Sequence, residues 1–249
     1  MNSPQILSQK MSIIYHSMCS DCGLTKETTS GHKVVKKQIT YSMCGNTDGS
    51  DILQPFVIGK PAKPQAFKGK TGAQLSFHYH NNTKAWMTSI LFEEWLEKWN
   101  GILKVQNRHV LLWINNLSGH TLPASITNVC MAFFSPNLMS HVQPMDAGII
   151  WCFKAHYQKL FVACSIDHYN AGVHPSKIYD VNQLEAMHLT DITWSHVKPI
   201  VHCNCWAKVG ILPLSQDSAH GNPVMSIDNL LNPAQLAEQE LEVEVDELV

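Results

Sequence analysis

Asn115 and Asp146 are the residues whose types and spacing carry the most chemistry in this chain. An apolar run, VLLWI, ends in Asn115-Asn116-Leu117-Ser118-Gly119-His120, and thirty residues further on QPMDAGIIWCFKAHY carries Asp146 into a helical pattern. Carboxylates at the end of a strand and on a facing helix can hold two divalent ions, which generate a nucleophile and stabilise the attacking and leaving oxygens of a phosphodiester. Hard Mg²⁺ favours carboxylates. An amide at position 115 can offer an oxygen, but it removes a full negative charge. The pattern predicts a site for metal-dependent phosphodiester chemistry that has lost its metal. Asp21, Asp48 and Asp51 are the substitutes the sequence offers, yet each also reads as an ordinary turn residue.

These residues need a scaffold, and the sequence reads as alternating α/β. Residues 38–46 and 54–59 are β-rich and joined by Thr47-Asp48-Gly49-Ser50, whose Asp-Gly pair signals a hairpin. Residues 74–80 read as a third strand. Thr88 can cap a helix running to about Asn100, with Leu91, Trp95, Leu96 and Trp99 on one stripe and Gly101 ending it. Residues 109–114 and 129–134 read as buried central strands. Residues 147–161 repeat apolar positions at helical spacing, with Asp146 expected at the cap. Residues 180–197 and 204–209 read as shorter helices, the last ending at Gly210 before Pro213. Residues 12–18 are the candidate for a first strand, and a regular one is expected to be missing.

Composition sets outer limits. With 249 residues, 45% hydrophobic and 15% charged, one sizeable core is within reach. No apolar run approaches the roughly 20 residues of a membrane helix, and MNSPQILSQK lacks the layout of a signal peptide, so an intracellular protein without membrane contact is expected. Several of the eight cysteines lie in apolar runs, which predicts buried thiols rather than a disulfide framework. Charge is split: residues 215–249 hold eight acids and no Lys or Arg, so residues 1–214 carry about +6 and the tail −8. A basic body suits a polyanion, and an acidic tail would repel or compete with it. Arg108 is the one arginine, which is poor equipment for bidentate reading of bases. Cys19, Cys22, His202, Cys203 and Cys205 could together offer zinc ligands, although the one-residue spacing of the second cysteine pair is untypical. His78, His80, His120, His141 and His156 read as ordinary loop or helix residues near the expected cleft, His120 supporting the Asn115 loop.

NTDGS, PFVIGKPAKPQAF, NNTKAWMTSILFEEWL, LLWINNLSGH and SPNLMSHVQPMDAGIIWCFKAHYQKLF occur in an order and spacing that resemble the DDE superfamily endonuclease (transposase) domain of the pogo, Tigger and jerky group, related to the centromere-binding protein B family. The resemblance runs from about Tyr15 to Pro213. It implies a ribonuclease-H-like mixed sheet flanked by helices, with three acids holding two metals. Residues 1–14 match poorly, 15–214 form the endonuclease-like domain, and 215–249 are expected to be a flexible acidic tail.

Carried over by position, the third acid is Asp146, the second is replaced by Asn115, with Asn116 and His120 as structural support, and the first falls near Gln9-Lys10, where no acid stands. Asp146 is the only retained metal ligand. The expected function is therefore a transposase-derived, nuclear domain that binds DNA weakly and without sequence preference through Lys154 and Lys159, with cleavage and strand transfer lost. No cofactor is expected, with Mg²⁺ or Mn²⁺ serving any residual activity. The alternative is a protein-interaction module or a decayed transposon product, and a homo-oligomer or protein partner stays open. Complete transposases of this group carry helix-turn-helix domains before the endonuclease core, and this sequence begins inside or after the first core strand, so sequence-specific DNA recognition is not expected. Trp151 and Gln158 stand where the group often has Arg, and with Asn115 these are single transition changes in DNA, which predicts a matching bias in the underlying nucleotide sequence.

Overall fold

A computed structural model describes residues 5–15, 38–115, 122–134 and 142–211. Its centre is a six-stranded sheet built from β1 (Gln5–Tyr15), β2 (Gln38–Asn46), β3 (Ile52–Gly59), β4 (His78–Asn81), β5 (Val110–Ile114) and β6 (Val129–Phe133), in the order β4-β3-β2-β1-β5-β6. β1, β2 and β3 are antiparallel neighbours, while β5 and β6 run parallel to β1 and β4 runs parallel to β3. This is the mixed sheet expected from the sequence.

The expectation that a regular first strand is missing is corrected. β1 spans eleven residues and pairs with β2 from Leu7 against Asn46 to Tyr15 against Gln38, and with β5 from Gln5 against Val110 to Ser8 against Trp113. It begins seven residues before the expected 12–18 segment and ends at Tyr15. QILSQKMSIIY has no clean alternation, but a central strand is fixed by the ladders of its two neighbours more than by its own propensity.

The hairpin forms as expected. Asp48 accepts from the Ser50 backbone N–H at 2.9 Å and the Ser50 hydroxyl at 2.6 Å, and Gly49 takes a φ of +70° that few side chains tolerate. Residues 74–80 divide instead into a 3₁₀ turn, Ala73–Leu75, and the short strand β4. The Gly72 carbonyl accepts from the Leu75 and Phe77 N–H groups at 3.0 and 2.9 Å, which bends the first half out of extended form.

Helices cover both faces. α1 (Ser89–Val105) starts at Thr88, whose hydroxyl accepts from the Leu91 N–H at 3.4 Å. It does not stop at Gly101: it continues one turn because Leu103 is buried, and ends where Asn107 turns to a φ of +50°. Leu91, Phe92, Trp95, Leu96, Trp99 and Leu103 pack on Cys44, Phe56, Ile58, Val110, Leu112 and Ile114. On the other face lie α2 (Ile150–Asn170), α3 (Gln183–Ser195) and α4 (Pro199–Val209), which pack on Ile39, Tyr41, Met43 and Val57. α3 opens with a reciprocal capping box between Asn182 and Glu185. α4 starts five residues earlier than expected, at Pro199, and closes on Gly210 in the left-handed region. No described helix is long and apolar enough to cross a membrane.

Candidate functional site

Val110, Leu112 and Ile114 all join the core under α1, so strand alternation sends Leu111, Trp113 and the next odd position, Asn115, to the opposite face, the one covered by α2 and α4. Asn115 is half-buried there. The parallel pairing of β1 with β5 runs to Ser8 against Trp113, so the stretch of β1 just beyond it, which holds the Gln9-Lys10 position expected for the first acid, continues on the same side as the chain leading to Asn115.

Asp146 is not a cap residue. It lies in an irregular turn, Met145–Ile149, kinked at Gly148, whose φ of 166° is extended and not helical, just ahead of α2, and its backbone N–H donates to the Gln143 carbonyl at 3.0 Å. The QPMD motif explains the placement: Gln143, Pro144 and Met145 are buried, and Asp146 alone of the four is exposed. This turn packs against β1 and α4. Sequence reasoning missed the two residues that hold it: a Cβ on Gly148 would come within 2.9 Å of Cys205 Sγ, so glycine is needed for α4 to approach. The signal was a glycine two residues after the acid. Burial pushes the Cys205 thiol up to about 11, so it serves packing and not nucleophilic chemistry.

Lys154 is exposed on the first turns of α2, three residues from the exposed Trp151, and Lys159 is half-buried further along. Asn116 and His120 lie outside the described residues, as do His141, Asp21, Cys19 and Cys22. Asp48 and Asp51 are turn residues: Asp48 caps the hairpin, its carboxyl held below the usual range by Ser50, and Asp51 forms an ion pair with Arg108. The lone arginine is thus tied to the fold. His202 is buried under the hairpin, its ring 5.8 Å from that of Trp194, and Cys203 Sγ lies 3.9 Å from the Asp48 carbonyl. His80 stacks on Phe56 at 5.0 Å and lies 3.6 Å from Glu94. Among the described residues, no three His, Cys, Asp or Glu side chains gather into a group that could hold a metal.

Among the described residues, those at the expected acid positions do not fit a two-metal centre. β1 contains no acid at any of its eleven positions, β5 ends in an amide, and Asp146 supplies the one carboxylate expected there.

The family model for the DDE superfamily endonuclease matches residues 36–206. The chain belongs to this family. As a DDE superfamily endonuclease domain it is 29% identical over 204 residues to mouse Tigger transposable element-derived protein 4, covering 81% of this chain and 39% of that protein. It is 28% identical to human Major centromere autoantigen B, over 78% of this chain and 30% of that protein. CENP-B homolog protein 2 of Schizosaccharomyces pombe is 26% identical over 76% of the chain and 38% of its own length. The chain thus spans about a third of the curated relatives it matches. Among solved structures, a pre-cleavage Mos1 transpososome is similar with a TM-score of 0.40 and 14% identity, over 84% of this chain and 56% of that one.

Proposed function

We propose that this chain is a transposase-derived DDE endonuclease-like domain that contacts DNA weakly and without sequence preference, and that has lost metal-dependent cleavage and strand transfer. The observation that carries the reading is the amide at the end of β5 beside a β1 without acids, which leaves Asp146 as the only family carboxylate. Removing two of three negative charges removes the attraction that would hold paired Mg²⁺ or Mn²⁺ ions. Lys154, exposed on α2 near the Asp146 turn, and Lys159 on the same helix are the proposed phosphate contacts. Lysine is a point charge without bidentate geometry, which suits backbone contact over base reading. A nuclear location is part of the same proposal and is supported by the likeness to a protein named as a centromere autoantigen.

The test is cleavage of a nicked or branched DNA with Mg²⁺ or Mn²⁺, run beside binding of the same DNA across a salt series, with Asp146→Ala as control. Binding without cutting is the expected result. Cutting abolished by Asp146→Ala overturns the loss of activity, and the absence of both binding and cutting favours an interaction role or decay.

A further inference from the structure

From Ile52 to Phe92 the chain has no Asp or Glu in forty-one residues, yet it holds Lys60, Lys63, Lys68, Lys70 and Lys84. All five are exposed. Four of them fall in the segment between β3 and β4, and that segment is built rather than loose. Phe67 is buried at 2% exposure and packs edge-on against Tyr79 with ring centres 5.1 Å apart. The Tyr79 hydroxyl donates to the Pro61 carbonyl at 2.6 Å. Two turns close around this anchor: the Lys68 N–H donates to the Gln65 carbonyl and the Lys70 N–H to the Phe67 carbonyl, both at 3.0 Å. Thr71 and Gln74 hold each other by the 2.9 Å bond from the Thr71 N–H to Gln74 Oε1. Lys68 takes a φ of +49°, a left-handed geometry uncommon for a non-glycine residue.

Topology decides where this segment lies. β3 is antiparallel to β2, β2 is antiparallel to β1, and β1 is parallel to β5. β3 and β5 therefore run the same way, but β2 and β1 lie between them, and the ladders set Gly59 level with Ile14, beyond the Ser8–Trp113 pair that precedes Asn115, so the lysine segment sits on the β4 side of the sheet. A one-sign surface on a fixed backbone loses less entropy on binding than a floppy one, and its charge attracts a polyanion by counterion release.

We propose that the β3–β4 segment, through Lys60, Lys63, Lys68 and Lys70, is a second phosphate-contact surface that grips the DNA backbone at the β4 edge of the sheet. This rests on the DNA-binding reading above and adds a surface that Lys154 and Lys159 do not account for. With lysine alone, the grip follows the backbone and reads no bases.

The experiment measures binding of a fluorescent DNA duplex to the full chain over a salt series, for the parent, for Lys63, Lys68 and Lys70 all changed to Gln, and for Lys98, Lys104 and Lys177 all changed to Gln. Both variants lose the same charge, and circular dichroism checks that both fold. The expected result is that the slope of log affinity against log salt becomes shallower by about one for each segment lysine that holds a phosphate, with the control set leaving it near the parent value. Equal slopes for both variants overturn the inference and leave DNA binding standing. A parent chain that binds no duplex at low salt overturns both.

Discussion

Gly148 and Cys205 meet so closely that a single methyl on the glycine would lie 2.9 Å from the cysteine sulfur. The contact locks the turn bearing Asp146 onto α4, which itself rests under the β2–β3 hairpin through His202. Gly148→Ala should destabilise the fold by about 1–3 kcal/mol, the usual cost of overpacking. Adding Cys205→Ala should recover most of it. Urea midpoints of the two single variants and the double variant measure the coupling, and additive losses would show that the contact does not fix the turn.

Returning a carboxylate to the end of β5 should restore part of a metal site. Asn115→Asp should give a rise in melting temperature with millimolar Mn²⁺ that the parent lacks, and Asp146→Ala in that background should remove the rise. Binding stabilises only the state that binds, so the thermal shift reports affinity directly. A parent chain shifting as much as the variant would sink the idea that the amide is what weakens the metal.

His202 makes stability depend on acid. Burial holds its pKa below the ordinary value of 6.5, opposed in part by the Asn46 backbone and the charge of Asp48. The folded state therefore prefers the neutral ring while the unfolded chain takes up the proton first. Stability from this group is fully present above pH 6.5 and is lost as pH falls from there through the lower folded value. His202→Gln should flatten the urea midpoint between pH 7 and pH 5, and an unchanged slope would assign the acid sensitivity elsewhere.

Arg108 pairs with Asp51 and also donates to the Gln106 side chain at 2.9 Å, tying the entry of β5 to the start of β3. Both partners are partly exposed, at 37% and 27%, so screening keeps the pair modest. A double-mutant cycle of Arg108→Ala and Asp51→Ala should return about 1 kcal/mol of coupling, shrinking in high salt. Loss of DNA binding in Arg108→Ala with unchanged stability would instead place the arginine on the nucleic acid.

Local chemistry made much of the fold legible. The Asp-Gly hairpin, the Thr88 cap, the β5 and β6 runs and the stop at Gly210 follow from short-range turn and cap preferences, and they stand close to where the residues predict. The chemical content of the site was also written in residue types: an amide at 115, an acid at 146 and no acid in the first strand. Tertiary structure decided what depends on distant partners. β1 exists because β2 and β5 pair with it, and α1 passes Gly101 because Leu103 finds a core beyond it. The kinked turn of Asp146 follows the buried side chains of QPM and the sulfur of Cys205, contacts no sequence window contains. The place of the lysine segment at the β4 edge, with β2 and β1 between it and β5, follows from strand order, a property of the assembled ladder rather than of any residue in it.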